Sequence, residues 1–198
     1  MGAFEAFYDL ALAPAERLGL ASLRRRLLKG ATSQHVLEIG VGTGLGLRAY
    51  APGQSVVGLD PRRPALRRAR RRALRWHIPL RPLQGDAQAL PFPDGTFGLV
   101  VSQLSLCTIP DPLQGLQEVH RVLRPGGVFI ALEHVRFPLA PVAWLQGALT
   151  PLWKHLAGGC HLNRDAVALV KRAGFTLLGV ERYLAGLLVV VRATRPPT

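Results

Sequence analysis

Near the start of the chain an acid precedes three alternating glycines: in the stretch VLEIGVGTGLG, Glu38 is followed by Gly40, Gly42 and Gly44. Glycines at that spacing let a backbone turn approach a ligand that any Cβ would keep away. A dinucleotide fingerprint needs G-x-G-x-x-G, but Leu45 and Leu47 stand where the two registers require the third glycine. A phosphate-binding P-loop needs a lysine after its last glycine, and none is near. The carboxylate of Glu38 suits a ligand that carries positive charge better than it suits a pyrophosphate. A glycine-rich turn without a ligand is the alternative.

Two more acids follow at useful places. Asp60, with Pro61 behind it, ends an apolar run 20 residues after Gly40, where a doubly wound sheet offers a carboxylate to ribose hydroxyls. Its other reading is a cap for the next helix. Asp86, with Ala87, lies in QGDAQALPF after a further apolar run, placed for an exocyclic adenine amine or for a local turn. The three acids and the glycines together predict S-adenosyl-L-methionine (SAM), a sulfonium with an ammonium, a ribose and an adenine.

Methyl transfer from a sulfonium is an in-line displacement, so aligning the acceptor and excluding water are the main tasks. A thiol acceptor also needs partial deprotonation, which a neutral histidine or a nearby positive charge can supply. His134, just after a strand-like run, is the candidate catalytic group; a histidine bonded to backbone is the other reading. His155, Cys160 and His161 match none of the usual zinc spacings, so no metal is predicted. Cys160 reads as a small residue packed beside the acceptor pocket, and Cys107 as core. Tyr8 and Asp9 read as a lid over the SAM site or as part of a surface helix.

These residues need elements to hold them. Strand-like runs at 35–39, 55–59, 80–84, 97–102 and 128–133 alternate with helical patterns at 61–76 and 112–123, the latter stopped by RPGG. Alternation implies an α/β, doubly wound parallel sheet with helices on both faces. Runs at 175–183 and 187–193, joined by a turn at Ala185–Gly186, read as a closing antiparallel hairpin. Two amphipathic segments, 4–12 and 15–29, precede the first strand as caps. One domain over 1–198 is predicted: cap helices at 1–34, a SAM-binding core at 35–135, an acceptor-side helical insert at 136–174 and the closing hairpin at 175–194.

The 198 residues carry 25 Lys and Arg against 12 Asp and Glu, a formal charge of +13. Such charge attracts anionic lipid, nucleic acid or acidic small molecules without choosing among them. Eight arginines crowd residues 62–75 around Leu66, Ala69 and Ala73, which predicts one packed face and one solvated face. Peripheral attraction to an anionic membrane comes second. Nucleic acid is disfavoured because Trp76 alone is at hand for base stacking. Two cysteines and no apolar leader predict a cytoplasmic protein. The apolar stretch 137–153 is broken by prolines and too short to span a bilayer. Met1–Gly2 could open a myristoylation signal, but Ala6 stands where Ser or Thr is wanted.

Taken in order, VLEIGVGTG, GLD, GDAQALPFPDGTFGLVVS and EVHRVLRPGGVFIALEH resemble the class I SAM-dependent methyltransferases, in the group that includes quinone C-methyltransferases and small-molecule methyltransferases. The resemblance implies a Rossmann-like seven-stranded sheet. It also implies that Glu38, Gly40, Gly42 and Gly44 surround the amino acid end of SAM, that Asp60 and Pro61 meet the ribose, and that Asp86 and Ala87 meet the adenine. Ser102 and Gln103 would line the floor near the methyl group.

A narrower likeness continues through LSLCTIPDPLQG, EHV and WLQGALTPLWKHLAGGCHLNRDAVALVKRAGF, which is similar to the thiol S-methyltransferases of animals and their bacterial relatives. It implies acceptor contacts from Trp144, Trp153, Cys160 and Asn163, to which the lid segment adds Tyr8. Animal members begin with a membrane-anchoring segment, whereas this chain begins MGAFEAFYDL, so any membrane attachment is expected to be peripheral. The sequence therefore predicts a SAM-dependent methyltransferase acting on a small, apolar acceptor, a thiol first, with a phospholipid amine or a quinone carbon as alternatives. A SAM-binding or nucleic-acid-binding module without catalysis is the non-enzyme alternative.

Overall fold

The computed structural model describes residues 2–31 and 33–197. Met1 of the Met1–Gly2 pair and Thr198 at the end of the tail lie outside the described residues, as does Thr32 in the cap.

Seven strands form one sheet: β1 (His35–Ile39), β2 (Ser55–Asp60), β3 (Leu80–Gln84), β4 (Phe97–Gln103), β5 (Leu123–His134), β6 (Thr176–Tyr183) and β7 (Leu188–Thr194). Their order is β3-β2-β1-β4-β5-β7-β6. The first five run parallel, and β7 is antiparallel to both β5 and β6. From β1 the chain first moves outward to β2 and β3, then returns to place β4 on the other side. This reversal opens a crevice at the carboxyl ends of β1 and β4, the place where open α/β sheets bind ligands.

Burial explains why these segments are strands. Val36 to Ile39 of β1 are buried on both faces, as befits a central parallel strand. Leu37 and Ile39 join the core on one face of the sheet with Val100, Phe129 and Val191. Val36 joins the other core with Val56, Leu99, Val101 and Leu132.

Helix α3 (Arg63–Trp76) buries Ala65, Leu66, Ala69 and Ala73, the spacing read from the sequence. Helix α4 (Pro112–Val122) starts at Asp111, whose carboxylate accepts the backbone N–H groups of Leu113 and Gln114. It stops one residue earlier than expected, and strand β5 begins at Leu123, opposite Phe97. Gly126, in RPGG, has φ +73°. The segment thus forms an irregular step in β5, and regular pairing resumes with Val128 opposite Leu99.

The N-terminal segment folds as α1 (Ala3–Ala15) and α2 (Ala21–Leu28), joined by a turn through Glu16–Leu20 that kinks at Gly19, where φ is +134°. After β5 come α5 (Ala140–Leu156), with Pro151 inside it, and the short α6 (Ala166–Arg172). No helix among the described residues is long and apolar enough to cross a membrane.

Candidate active site

The glycine turn is built as its spacing demands. Gly40, Gly42 and Gly44 have φ of +65°, +56° and +82°, a region that costs an L side chain roughly 1–2 kcal/mol. A Cβ on Gly40 would come within 2.3 Å of the Ser105 Cβ, and one on Gly44 within 2.9 Å of the Ala69 Cα. At Gly42 the nearest atom to a Cβ would be the Gly40 carbonyl oxygen at 3.9 Å. Gly40 and Gly44 thus serve close packing, while Gly42 borders open space.

Glu38 lies beneath this turn, 2 % exposed. Its carboxylate accepts from the Tyr50 hydroxyl at 2.8 Å and from the Gln103 amide at 3.1 Å. Gln103 in turn accepts from Arg24 of α2 at 2.9 Å, and Arg24 pairs with Glu16 at 3.0 Å. Burial raises the Glu38 pKa to about 7 against the opposing pull of Tyr50, Arg24 and Gln103. A carboxyl held there is primed to ionise fully when a cationic ligand arrives.

Asp60 receives the Gly42 N–H on one oxygen and the Arg62 N–H on the other, at 3.0 and 2.9 Å. It therefore steadies the glycine turn and the entry to α3 together, while burial raises its pKa. Asp86 is exposed and bonds to the Gln88 backbone and side chain, beside the buried Ala87.

At the carboxyl ends of β4 and β5, Glu133 organises the turn that follows β4. One carboxylate oxygen accepts from the Ser102 hydroxyl and from the backbone N–H groups of Ser105 and Leu106. Burial nonetheless raises its pKa. Ser102 is fully buried and shares a further bond with Ser105, whose hydroxyl donates to the Ile39 carbonyl. The turn carrying Cys107 is thereby tied to the glycine loop.

His134, at the end of β5, has its Nε2 3.0 Å from the Cys160 sulfur. Burial resists charging the imidazole, but the bond to that sulfur prevails and raises its pKa. Hydrogen bonding from Cys107 is the largest influence that pulls the Cys160 thiol down to about 4, helped by His134 and Trp153. The Cys107 thiol moves up in exchange. Cys107 is therefore more than core, and the grouping His155–Cys160–His161 does not form. His155 bonds to the Pro151 carbonyl and His161 to those of Cys107 and Gly159.

The residues expected on the acceptor side divide. Tyr8 and Trp153 each neighbour Cys160: burial lifts the Tyr8 pKa to about 12, with Arg24 and both cysteines among its electrostatic neighbours, and Trp153 reaches the Cys160 sulfur. Trp144 and Asn163 instead line an open surface depression with Arg136, Ala143, Gly147 and Ala148.

Helix α1 closes over the glycine turn. Asp9 accepts from Thr43 at 2.6 Å and pairs with Arg68 at 2.5 Å and Arg72 at 2.9 Å, and Arg72 also donates to the Thr43 carbonyl. These partners outweigh burial and lower the Asp9 pKa. Two arginines of the charged helix thus hold the cap and are not merely solvated. Arg24, Thr43, Tyr50 and Ser105 escape sequence reasoning: Arg24 sits inside the run LRRR, and nothing local distinguishes it from its neighbours.

The methyltransferase domain family matches residues 37–131. The chain is 35% identical over 185 residues to the thiol S-methyltransferase TMT1B of Homo sapiens, covering 86% of this chain and 75% of the relative. Against the rat protein of the same name it covers 65% of the relative's length. The chain belongs to this methyltransferase family. It is a SAM-dependent methyltransferase.

Other relatives cover less of this methyltransferase. The phosphatidylethanolamine N-methyltransferase of Cereibacter sphaeroides is 38% identical over 116 residues, covering 58% of this chain and 57% of the relative. The demethylmenaquinone methyltransferase of Thermus thermophilus is 41% identical over 111 residues, covering 54% and 49%. Among solved structures, a SAM-dependent methyltransferase from Mesorhizobium loti superposes with a TM-score of 0.67 at 20% identity, covering 88% of this chain and 96% of that one.

Proposed function

We propose that this methyltransferase moves the SAM methyl group onto the sulfur of a small, apolar thiol in the cytoplasm. The observation that carries this reading is the reach of the likeness. The match to the thiol S-methyltransferase runs over 185 residues and 75% of the relative, whereas the phosphatidylethanolamine and demethylmenaquinone relatives match over 116 and 111, and a hydroquinone methyltransferase of Oryza sativa over 150 but only 40% of its own length.

SAM supplies an activated methyl group on a sulfonium, transferred by in-line displacement. Glu38 and the backbone of Gly40, Gly42 and Gly44 hold its amino acid end, with the open space beside Gly42 and the buried carboxylate as the features that fit. Asp60 and Pro61 face the ribose, and Asp86 and Ala87 the adenine. Gln103 fixes Glu38, and Ser102 shapes the floor through the turn that it holds with Glu133. Asp9 and Tyr8 close the cap and exclude water. His134 favours the thiolate form of the acceptor from the carboxyl end of β5, while Trp153 and Cys160 wall the acceptor's sulfur. Trp144 and Asn163 lie apart from this sulfur position, beside Arg136.

Labelled SAM offered with a panel of small aliphatic and aryl thiols, a demethylated quinone and phosphatidylethanolamine tests this reading. Methylated thiol should dominate. A product confined to the quinone or the lipid would overturn it.

A second observation concerns access. Helix α5 exposes Trp144, Leu145, Leu149, Leu152 and Trp153 on a chain with a formal charge of +13. Apolar side chains among basic charge favour peripheral contact with an anionic membrane, where an apolar acceptor would partition. Co-sedimentation should be seen with vesicles containing phosphatidylglycerol and not with phosphatidylcholine alone. Nucleic acid is the weaker partner, since Arg48 covers Trp76 at 4.4 Å and Arg68 and Arg72 are committed to Asp9.

A further inference from the structure

The chain has two cysteines, and both lie at one point with His134. The two sulfur atoms and an imidazole nitrogen all fall within 4.8 Å of one another. Three separate segments supply them: the turn after β4, the end of β5 and the loop after α5.

Backbone bonds hold that convergence in place. The His161 N–H donates to the Cys107 carbonyl at 2.9 Å, locking the two cysteine-bearing loops together. Arg164 donates to the Leu106 and Ile109 carbonyls. Gly158 and Gly159, with φ of +59° and +92°, turn the chain so that Cys160 points back to His134. Phe4 of α1 packs against Gly158, where a Cβ would meet its ring at 2.8 Å. The corner is thus roofed by the cap helix.

We infer that Cys107, His134 and Cys160 form a binding site for a thiophilic divalent cation of the zinc class, held by three protein ligands with a fourth position open to the acceptor sulfur.

The donor set fits. Two thiolates and one imidazole are the ligands that a borderline-soft d¹⁰ ion selects, and the thiolates neutralise its charge. Tetrahedral zinc, with Zn–S about 2.3 Å and Zn–N about 2.0 Å, sets its ligand atoms roughly 3.5–3.8 Å apart. The observed 3.0 Å between His134 and Cys160 and the outer limit of 4.8 Å bracket that spacing. Three protein ligands with one open position characterise zinc that acts on a substrate and not zinc that only supports a fold.

The corner is also well placed. Ser105, two residues before Cys107, packs against Gly40 of the donor turn. A sulfur bound at the open position would therefore stand one short turn from the SAM-binding loop.

The use of the open position rests on the thiol reading proposed above. There the acceptor's S–H bond breaks, its proton leaves to water, and its sulfur binds as the thiolate. When the S–CH₃ bond forms, the sulfonium carbon–sulfur bond breaks with its electron pair going to the departing thioether. The cation keeps its oxidation state throughout.

The test uses the full chain, stripped with a chelator and titrated with zinc against a chromogenic indicator. One zinc per chain should bind, with affinity lowered about 100-fold or more in Cys160→Ser and in Cys107→Ser. His155→Ala should bind as the parent does. SAM binding by calorimetry confirms that each variant is folded. With cobalt in place of zinc, benzyl mercaptan should add a sulfur-to-cobalt charge-transfer band that a quinone does not.

Absence of zinc uptake by the reduced protein, or uptake unchanged in both cysteine variants, overturns the site. So does a Cys107–Cys160 disulfide that forms equally with and without zinc. Zinc uptake without thiol methylation supports the site and overturns the thiol reading instead.

Discussion

The donor end of the crevice and its sulfur corner lie side by side but are made differently. At the proposed donor end the surface is backbone: three glycines in left-handed conformations above one buried carboxylate, all within residues 38–44. At the sulfur corner it is side chains, Cys107, His134 and Cys160, drawn from segments 26 or more residues apart. A backbone surface is intolerant of added atoms and written into a short stretch of sequence. A side-chain surface is spread over three segments and exists only when all three meet.

That contrast can be broken by substitution. The largest effect is expected from Gly40→Ala, whose Cβ would collide with Ser105 at 2.3 Å in a left-handed conformation. Strain and overpacking together should cost about 3 kcal/mol of stability in urea unfolding. SAM binding should fall beyond calorimetric detection. A variant as stable as the parent that still binds SAM would show that the turn is not the rigid element described.

His134→Ala should touch the other region alone. Thiol turnover is expected to drop by about 100-fold, with SAM affinity within about twofold of the parent. Equal turnover in the two proteins removes His134 from the mechanism.

Acidity separates the regions further. The Glu38 carboxyl titrates near 7 in the folded chain, against 4.5 for the ordinary group. Below about pH 4.5 it is protonated whether the chain is folded or not, and its contribution to stability is complete. As pH rises through 7 the folded chain must ionise a buried group, and that contribution, on the order of 3 kcal/mol, is lost. SAM affinity should run the opposite way, rising about tenfold from pH 6 to pH 8 because a cationic ligand wants the carboxylate. Glu38→Gln should flatten both profiles; a flat profile in the parent would count against Glu38 as the group that meets the ammonium.

Asp9→Ala tests the cap that both regions share. It frees Arg68, Arg72 and Thr43 and should weaken SAM binding about fivefold, chiefly through faster dissociation in stopped flow. An unchanged dissociation rate would make α1 an ordinary surface helix. The smallest effect belongs to Arg67→Gln and Arg71→Gln on the exposed side of α3. Stability should move by less than about 0.5 kcal/mol, and SAM affinity should not change.

The sequence by itself determined the fold, the cofactor and the glycine turn proposed to hold it. Apolar runs alternating with helical patterns imply parallel strands with a closing hairpin, and the seven strands lie on those runs, although β5 starts five residues early, through the RPGG read as a helix stop. The register of Gly40, Gly42 and Gly44 excludes the other glycine-loop ligands because steric requirements act over a handful of adjacent residues. Two kinds of feature were decided only by tertiary structure. One is charge: Arg24 and Arg72 look alike within arginine-rich helices, yet one is buried against Gln103 and the other clamps the cap to the glycine turn. The other is the sulfur corner, because Cys107 and Cys160 share no local pattern and His155 and His161 are nearer to Cys160 in sequence than His134 is. Ligand sets form between atoms a few ångströms apart in space, and chain separation carries no information about that distance until the sheet and its loops have closed.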